Sequence, residues 1–151
     1  MMSLMKEMPR SVWIAKSRPQ PPDGKSGLSR RMMSPMKEMP LFTRTFDFIT
    51  WLMPVTDNFP RGQRFFVTKR LRDAALDFYE FIIEANNCRG QARLDKIGLA
   101  DAALDKMRIY LRLSYRWEWL KPGQYQHAAG MVAEIGRLLG GWKKTTGQST
   151  T

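Results

Sequence analysis

The chain has 151 residues, a formal net charge of +11 and 43% hydrophobic residues. This length fits one modest domain, and the hydrophobic content excludes a chain that is disordered throughout. The single cysteine, Cys88, excludes an internal disulfide, and the single histidine, His127, without a cluster of other ligands argues against a zinc site. The surplus of Lys and Arg favours a polyanionic partner: DNA, RNA or an anionic membrane surface.

A short repeat marks the first part of the chain. Residues 1–9 read MMSLMKEMP and residues 32–40 read MMSPMKEMP, so the two copies differ at one position. The residues between the copies are rich in proline, glycine and basic side chains, which is the composition of a linker. We therefore expect a flexible basic segment over residues 1–35, with the folded domain starting near Met36. The same region lacks the uninterrupted apolar stretch of a secretory signal.

Hydrophobic spacing predicts two helices in the first half of the folded domain. The first covers Leu41–Met53 and is ended by Pro54, and the second covers Arg61–Asn87. The first helix carries one apolar stripe and a second apolar set that lies off it, which are Phe42, Phe46, Ile49 and Met53, and Leu41, Phe48, Trp51 and Leu52. A helix with two apolar faces must be buried on both. A subunit interface would cover the second face, unless the core stripe is simply wide.

Two further helices are predicted in the second half of the chain. The third covers residues 91–119, where Gly98 weakens it locally, and the fourth runs from about Gly123 to Trp142. Each has apolar residues three and four apart, so each can bury one face. No segment alternates between apolar and polar residues with a period of two, so no sheet is expected.

The fold class follows from four amphipathic helices joined by short loops. Gly140 and Gly141 are expected to end the fourth helix, and a polar C-terminal tail covers residues 145–151. Short loops place consecutive helices side by side and antiparallel. The predicted fold is therefore all-α, an up-down-up-down antiparallel four-helix bundle over residues 36–144.

Basic residues are concentrated in two segments, the start of the second helix and the end of the third. Folding these two helices about the turn at Gly90 brings both segments to one end of the hairpin. The candidate residues for binding nucleic acid or a partner are Arg61, Arg64, Lys69, Arg70, Arg72, Arg108, Arg112 and Arg116. Because no base-reading motif accompanies them, binding would be directed at phosphates and largely independent of sequence. The alternative is a solvated basic face that serves assembly and solubility.

Aromatic residues lie beside these basic groups in the run from Tyr115 to Leu120. Bases can stack on such rings, but capping of the core end by Trp117 or Trp119 is the favoured interpretation. The motifs GxxxxGK[ST], HExxH and GxSxG are missing from the sequence. Asp73 and Asp77 are one turn apart, which is typical of a wet helix face rather than of a general acid–base pair. The sequence therefore predicts no catalytic residue, no metal and no cofactor.

The stretches Pro40–Asn87 and Leu104–Lys144 together resemble a known family. Strings such as FPRGQRF, LRDAALDF, IEAN and GRLLGGW are similar to the accessory variability determinant (Avd) proteins of diversity-generating retroelements. More widely, the chain resembles the four-helix-bundle proteins related to those encoded in ribosomal-RNA intervening sequences. The resemblance covers most of residues 37–144 and includes no catalytic signature, and the first 35 residues depart from the family pattern.

The resemblance implies a specific set of properties. Avd proteins are barrel-like homopentamers whose basic surface binds DNA and RNA with little sequence preference. They associate with the retroelement's reverse transcriptase and support mutagenic copying of a template RNA into complementary DNA, without enzymatic activity of their own. The resemblance thus implies a non-enzymatic protein in the cytoplasm, of bacterial or phage origin, with no role at a membrane. Two competing hypotheses are a purely structural helical oligomer and a nuclease that acts on RNA.

Overall fold

The computed structural model describes residues 39–150, and this part of the chain is helical throughout except for short connections. The predicted N-terminal segment and its repeat therefore lie outside the described residues, apart from Met39 and Pro40. The elements in chain order are α1 (Pro40–Thr56), a 3₁₀ turn (Arg61–Gln63), a π-helical segment (Arg64–Thr68), α2 (Lys69–Asn86), α3 (Gly90–Arg116) and α4 (Pro122–Thr150). No strand occurs within residues 39–150, as predicted.

The four α-helices form a closed antiparallel ring. Helix α1 packs against α2 and α4, and α3 packs against the same two helices. Antiparallel order is seen where Lys96 Nζ lies 2.9 Å from Glu84 Oε2 across the α2–α3 pair. It is seen again on α1 and α4, where Arg44 Nε donates to Glu134 Oε1 at 3.1 Å. The predicted up-down-up-down four-helix bundle is therefore confirmed.

The core consists of the apolar stripes that the spacing predicts on α2, α3 and α4. Its fully buried members on these helices include Leu71, Phe78, Ile82, Ile97, Leu104, Met107, Ile135 and Leu139. Full burial of a side chain of this size stabilises the folded state by roughly 1.5–3 kcal/mol relative to exposure. Each of these three helices has one apolar face, and that face is buried only when the helix packs against its neighbours in the bundle.

Helix α1 turns a different face to the core from the one predicted. Phe46 of the predicted stripe is 58% exposed, while the buried residues of α1 are Leu41, Phe42, Thr45, Phe48, Leu52 and Thr56. The two threonines can be buried because each hydroxyl donates to a carbonyl of the preceding turn: Thr45 to Leu41 at 2.7 Å, and Thr56 to Leu52 at 3.0 Å. Burial of these satisfied hydroxyls lets Phe48 and Leu52 face the core and leaves Phe46 outside.

The predicted end of α1 at Pro54 is also wrong, since the helix continues to Thr56 with Pro54 inside it. A proline this close to the end removes only one main-chain hydrogen bond. The carbonyls of the last turn find other donors: Met53 O accepts from the Thr56 hydroxyl at 2.9 Å and from Arg72 Nη2 at 3.1 Å. These side chains supply hydrogen-bond donors to the last carbonyls of α1, which have no donor within the helix.

The second and third helices are shorter than predicted. Residues 61–68 wind as a 3₁₀ turn and a π-helical segment, and regular α-helix begins only at Lys69. Helix α3 ends at Arg116, where Glu118 adopts a left-handed conformation with φ of 64°. The Trp119 N–H then donates to Ser114 O at 2.9 Å, and the Glu118 N–H donates to Tyr115 O at 3.0 Å. This hydrogen-bond pair closes the C-terminus of the helix and turns the chain.

Helix α4 does not end at Gly140 and Gly141 but runs on to Thr150. Each glycine costs about 1 kcal/mol of helix propensity, and tertiary packing offsets this cost. The ring of Trp142 packs edge-on against Phe42 with centroids 6.3 Å apart, and the Arg93 guanidinium lies 5.5 Å from the same ring. The predicted polar tail is thus helical as far as Thr150, while the domain boundaries at 36 and 144 stay predictions.

The closed core makes a clear prediction for stability. Replacing the fully buried leucine of α3, Leu104→Ala, should lower the free energy of unfolding by about 2–5 kcal/mol, because it removes apolar contacts and leaves a cavity. The matched control is Leu99→Ala on the same helix, where the side chain is 46% exposed and the loss should be below about 1 kcal/mol. Urea denaturation followed by circular dichroism measures both, and equal losses would contradict the assigned core.

Candidate nucleic-acid interface

Both basic segments lie at one end of the bundle, at which α1 connects to α2 and α3 connects to α4; we call it the loop end. The two connections contact each other there, since the rings of Phe59 and Trp119 have centroids 5.5 Å apart. Helix α2 begins and α3 ends at this place, so the candidate residues lie at or near it, except Arg108, which lies further along α3 against Gly136 of α4. Trp119 is half-buried and packs on the core, in line with the favoured interpretation of the aromatic run.

Different candidate residues line different hollows of the bundle. Arg64 and Arg72 line a hollow beside the end of α1, and its volume of about 10 Å³ has room for about one water molecule. Arg108, Arg112 and Arg116 instead follow the seam between α3 and α4. The remaining three, which are Arg61, Lys69 and Arg70, line none of these hollows.

Ion pairing divides the candidates further. Three of them have carboxylate partners: Lys69 with Asp73 at 2.5 Å, Arg72 with Asp57 at 2.6 Å and Arg108 with Asp105 at 2.8 Å. The others are exposed and have no ion pair within the described range, and they are Arg61, Arg64, Arg70, Arg112 and Arg116. A phosphate that approaches an exposed cation without an ion pair has no carboxylate partner to displace. These five residues are therefore the stronger candidates.

Arg72 has a structural task that the sequence pattern did not reveal. Its guanidinium is half-buried and donates to Thr56 Oγ1 at 2.8 Å, to Met53 O at 3.1 Å and to Asp57 Oδ1 at 2.6 Å. A cation at this position also interacts favourably with the negative end of the α1 dipole. Arg72 thus joins the start of α2 to the end of α1, and its donors are taken up within the bundle.

A groove opens at the loop end between α3 and α4, and we call it the α3–α4 groove. Its larger part has a volume of about 750 Å³ and is lined by Arg112, Leu113, Tyr115, Arg116, Glu118, Leu120, Lys121 and Pro122. A smaller part of about 230 Å³ continues along the seam and is lined by Arg108, Leu111, Arg112, Tyr125, Ala129, Val132 and Ala133. Because Arg112 lines both parts, the row of arginines runs along the whole groove.

Small residues of α4 border the groove on one side, and the side chain of Arg108 lies against one of them. The guanidinium of Arg108 lies against Gly136, where a methyl group would force this flexible side chain to shift. Ala129 and Ala133 are further small residues of α4 that line the groove nearer the loop end. The α3 arginines therefore flank a channel rather than a filled helix interface.

Two features of the groove were missed by sequence reasoning. Lys121 was read only as a turn residue, yet it lines the groove beside Arg116 because the α3–α4 connection is well fixed. The Lys121 N–H donates to Gln124 Oε1 at 2.9 Å, and Pro122 occupies the first helical position of α4. The second feature is the stacking of Tyr115 on Tyr125, with centroids 4.5 Å apart and planes 8° apart. Their equal distance from the turn could have indicated this contact.

The described part of the chain also bears on two other features, metal-binding clusters and membrane-spanning helices. Within residues 39–150 no cluster of three or more His, Cys, Asp or Glu residues could hold a metal ion. His127 contacts the ring of Trp51, with centroids 5.0 Å apart, where α4 packs on α1. None of the helices between residues 39 and 150 combines the length and the apolar character needed to cross a membrane.

Fold and groove together define a small basic four-helix-bundle protein with an exposed cationic channel at one end. The sequence profile described as bAvd-like matches residues 39–146, and the chain belongs to this family. The resemblance found in the sequence is thereby confirmed. The family is of an accessory type, and the comparisons indicate no catalytic family.

A solved structure supports the fold independently. It is a protein of unknown function from the S23 ribosomal protein family of Bacteroides thetaiotaomicron, and it superposes with a TM-score of 0.65. The match covers 72% of this chain and 99% of that chain at 20% sequence identity, so the likeness shows the shared fold alone. No curated protein matches the chain.

The different surroundings of two arginines predict different effects on stability. Arg72→Gln should lower the free energy of unfolding by about 1–3 kcal/mol, since it removes a charged donor from the end of α1. Arg112→Gln should change it by less than about 0.5 kcal/mol, because the exposed Arg112 guanidinium has no carboxylate partner in the described part. Thermal unfolding of both variants measures the difference, and an unaltered stability of Arg72→Gln would argue against the capping role.

Proposed function

We propose that this chain is a non-enzymatic accessory protein of a diversity-generating retroelement, and that it holds template RNA or nascent complementary DNA near the reverse transcriptase. Membership of the bAvd-like family supports the accessory role. The observation that carries the nucleic-acid part is the α3–α4 groove, where Arg112, Arg116 and Lys121 line one wall without an ion-pair partner among the described residues. The proposed setting is the cytoplasm of a bacterium, where the template RNA is made.

The electrostatics of the groove favour binding to phosphates. A cation that is already free of carboxylates loses no ion pair when a phosphate arrives, and helices on both sides keep the charges in place. Each neutralised phosphate also releases condensed counterions, which makes the affinity depend steeply on salt. Fixed positive charge lowers the cost of bringing two polyanions, such as template and product strands, close together. Binding of this kind carries no sequence preference.

The structure changes the weight of the candidate residues within this proposal. Arg112 and Arg116 remain, Lys121 is added, and Arg108 contributes from the inner part of the groove in spite of its pairing with Asp105. Arg72 is set aside because its donors are used in the bundle. Arg61, Arg64 and Arg70 lie at and just before the start of α2, and within this proposal we assign them to contact with the reverse transcriptase.

Self-association is part of the same proposal. Phe46 is 58% exposed on α1, and Ile49 and Met53 on the same side of that helix are only partly buried. On the neighbouring α2 the side chain of Leu76 is also exposed. An apolar surface of this kind is usually covered by another molecule. We infer that a second copy of the chain covers it, within a homo-oligomer that the family resemblance implies to be a pentamer.

A structural oligomer without a role in nucleic-acid binding remains the competing function. Its support is the exposed apolar face of α1, which would serve assembly in either case. In the structural oligomer the cations of the α3–α4 groove would serve assembly and solubility, whereas in the proposed function they bind phosphates. RNA binding at moderate salt is therefore the decisive property.

The triple variant Arg108→Gln, Arg112→Gln, Arg116→Gln should weaken the binding of unrelated RNA and reduce its salt dependence together. Removing three phosphate contacts should lower the slope of log affinity against log salt by about 2–3. Filter binding between 50 and 300 mM salt measures both quantities. Affinity and slope that stay at the wild-type values would remove the groove as the binding surface.

The matched control removes the same charge from the opposite end of the bundle. Arg89, Lys143 and Lys144 are exposed there, near the start of α3 and beyond Trp142 on α4. Their replacement by Gln gives the same net charge as the first triple variant, so a general charge effect would weaken binding equally. A groove-specific effect leaves the control with a slope close to that of the wild type.

Incubation of the wild type with RNA and Mg²⁺ should yield no cleavage products, and cleavage would favour the nuclease hypothesis.

Self-association gives a separate prediction. Phe46→Glu should shift the protein from oligomer to monomer, because a charge would have to be buried in the apolar contact. Light scattering coupled to gel filtration measures the mass, and Ala102→Glu on the exposed side of α3 serves as the control. An unchanged mass for Phe46→Glu would assign the α1 face to a different contact.

A further inference from the structure

We propose that the α3–α4 groove stacks unpaired bases on its tyrosine pair, so that the protein binds single-stranded RNA or DNA in preference to duplex. This inference rests on the proposed nucleic-acid function and adds a selection that charge alone does not provide. A row of cations attracts the phosphates of single and double strands alike. Aromatic faces distinguish them, because the base faces of a duplex are already covered by their neighbours.

The tyrosine pair stands between the two parts of the groove. Tyr115 lines the larger part, Tyr125 lines the smaller part, and the rings stack on each other at 4.5 Å with nearly parallel planes. Tyr115 keeps 39% of its surface exposed although Tyr125 covers one side of its ring. Tyr115 is therefore accessible from the groove, and the proposal takes its outer face as the surface on which an incoming base stacks.

Cations border this stack where a sugar–phosphate backbone would run. Arg112 lines both parts of the groove, and Arg116 and Lys121 line the larger part together with Tyr115. A strand that placed a base against Tyr115 would therefore have its flanking phosphates within reach of unpaired positive groups. The combination of an aromatic platform and a basic groove is the usual arrangement for binding single strands without sequence preference.

The dimensions of the groove agree with such an occupant. A volume of about 750 Å³ lies in the range of roughly 300–1,000 Å³ that is typical of sites for small organic molecules, so a nucleotide or two can enter. A rigid duplex is broader than a bundle seam and would touch only the rim. One acidic residue, Glu118, also lines this part of the groove. Its main chain adopts the left-handed conformation in the turn after Trp117.

Trp117 offers a further aromatic surface at the mouth of the turn. Its ring is 45% exposed, with the centroid 4.9 Å from that of Trp119, and Trp119 in turn packs on Phe59. The tryptophan that caps the core is therefore Trp119, and Trp117 is the more exposed of the two.

The test compares three probes of equal length: an oligouridine strand, a mixed-sequence RNA duplex and an abasic strand that has phosphates but no bases. The wild type should bind oligouridine roughly tenfold more tightly than the abasic strand, which corresponds to stacking of one base. Tyr115→Leu should remove most of that difference, whereas Tyr115→Phe keeps the ring and should retain it. Arg112→Gln combined with Arg116→Gln should weaken all three probes to a similar extent.

The possible outcomes separate this inference from the proposed function. If oligouridine and the abasic strand bind equally well to the wild type, stacking is refuted while the nucleic-acid function stands. If no probe binds at all, both are refuted. Circular dichroism of Tyr115→Leu controls for loss of fold, since the ring also contacts α4.

Photocrosslinking of the wild type gives a second measurement, and this one does not depend on whether a variant folds. A strand with 5-bromouridine should crosslink to Tyr115, identified by mass spectrometry of the α3 C-terminal peptide. Crosslinks confined to other parts of the chain would overturn the assignment of the base-stacking site.

Discussion

The packing of α3 against α4 is the interaction on which the rest of the molecule depends. Three contacts at different heights hold this antiparallel pair: Arg93 over Trp142, Arg108 against Gly136, and Tyr115 on Tyr125. Between them the apolar stripes of both helices complete the core. Because α4 presents small residues along the outer edge of this seam, the helices can pack closely inside and still leave a channel outside. One helix pair thus provides both stability and the candidate binding surface.

Charge and packing are divided cleanly among the arginines. Arg72 and Arg93 are partly buried and donate to main-chain carbonyls at helix ends, so they belong to the fold. Arg112 and Arg116 are exposed at the end of α3 and have no carboxylate partner in the described part of the chain. An arginine that caps a helix cannot be released to a phosphate without a loss of stability. The excess positive charge is therefore only partly available to a ligand. The exposed arginines can bind it, and those that donate to carbonyls at helix ends cannot.

Sequence periodicity predicted the inward faces of α2, α3 and α4 because each of these helices has one apolar stripe. It was wrong about α1, where apolar residues occur on several sides and spacing alone could not choose between them. The choice depended on Thr45 and Thr56, whose hydroxyls are satisfied inside their own helix and so can be buried. The extension of α4 beyond Gly141 was missed for a related reason, since Trp142 gains its packing partners only from α1 and α3.

The amino-acid sequence by itself determined the helical class, the bundle topology, the family and the excess of positive charge. The helical class, the topology and the charge follow from local spacing, from turn residues and from composition, which act over a few residues or over the chain as a whole. The family was indicated by the resemblance of strings such as FPRGQRF and GRLLGGW. Only the tertiary structure decided which cations are free, that Lys121 joins Arg112 and Arg116, and that two tyrosines stack beside them. These properties depend on distances between residues that are remote in sequence. Such distances are set by how helices pack, and not by any one helix.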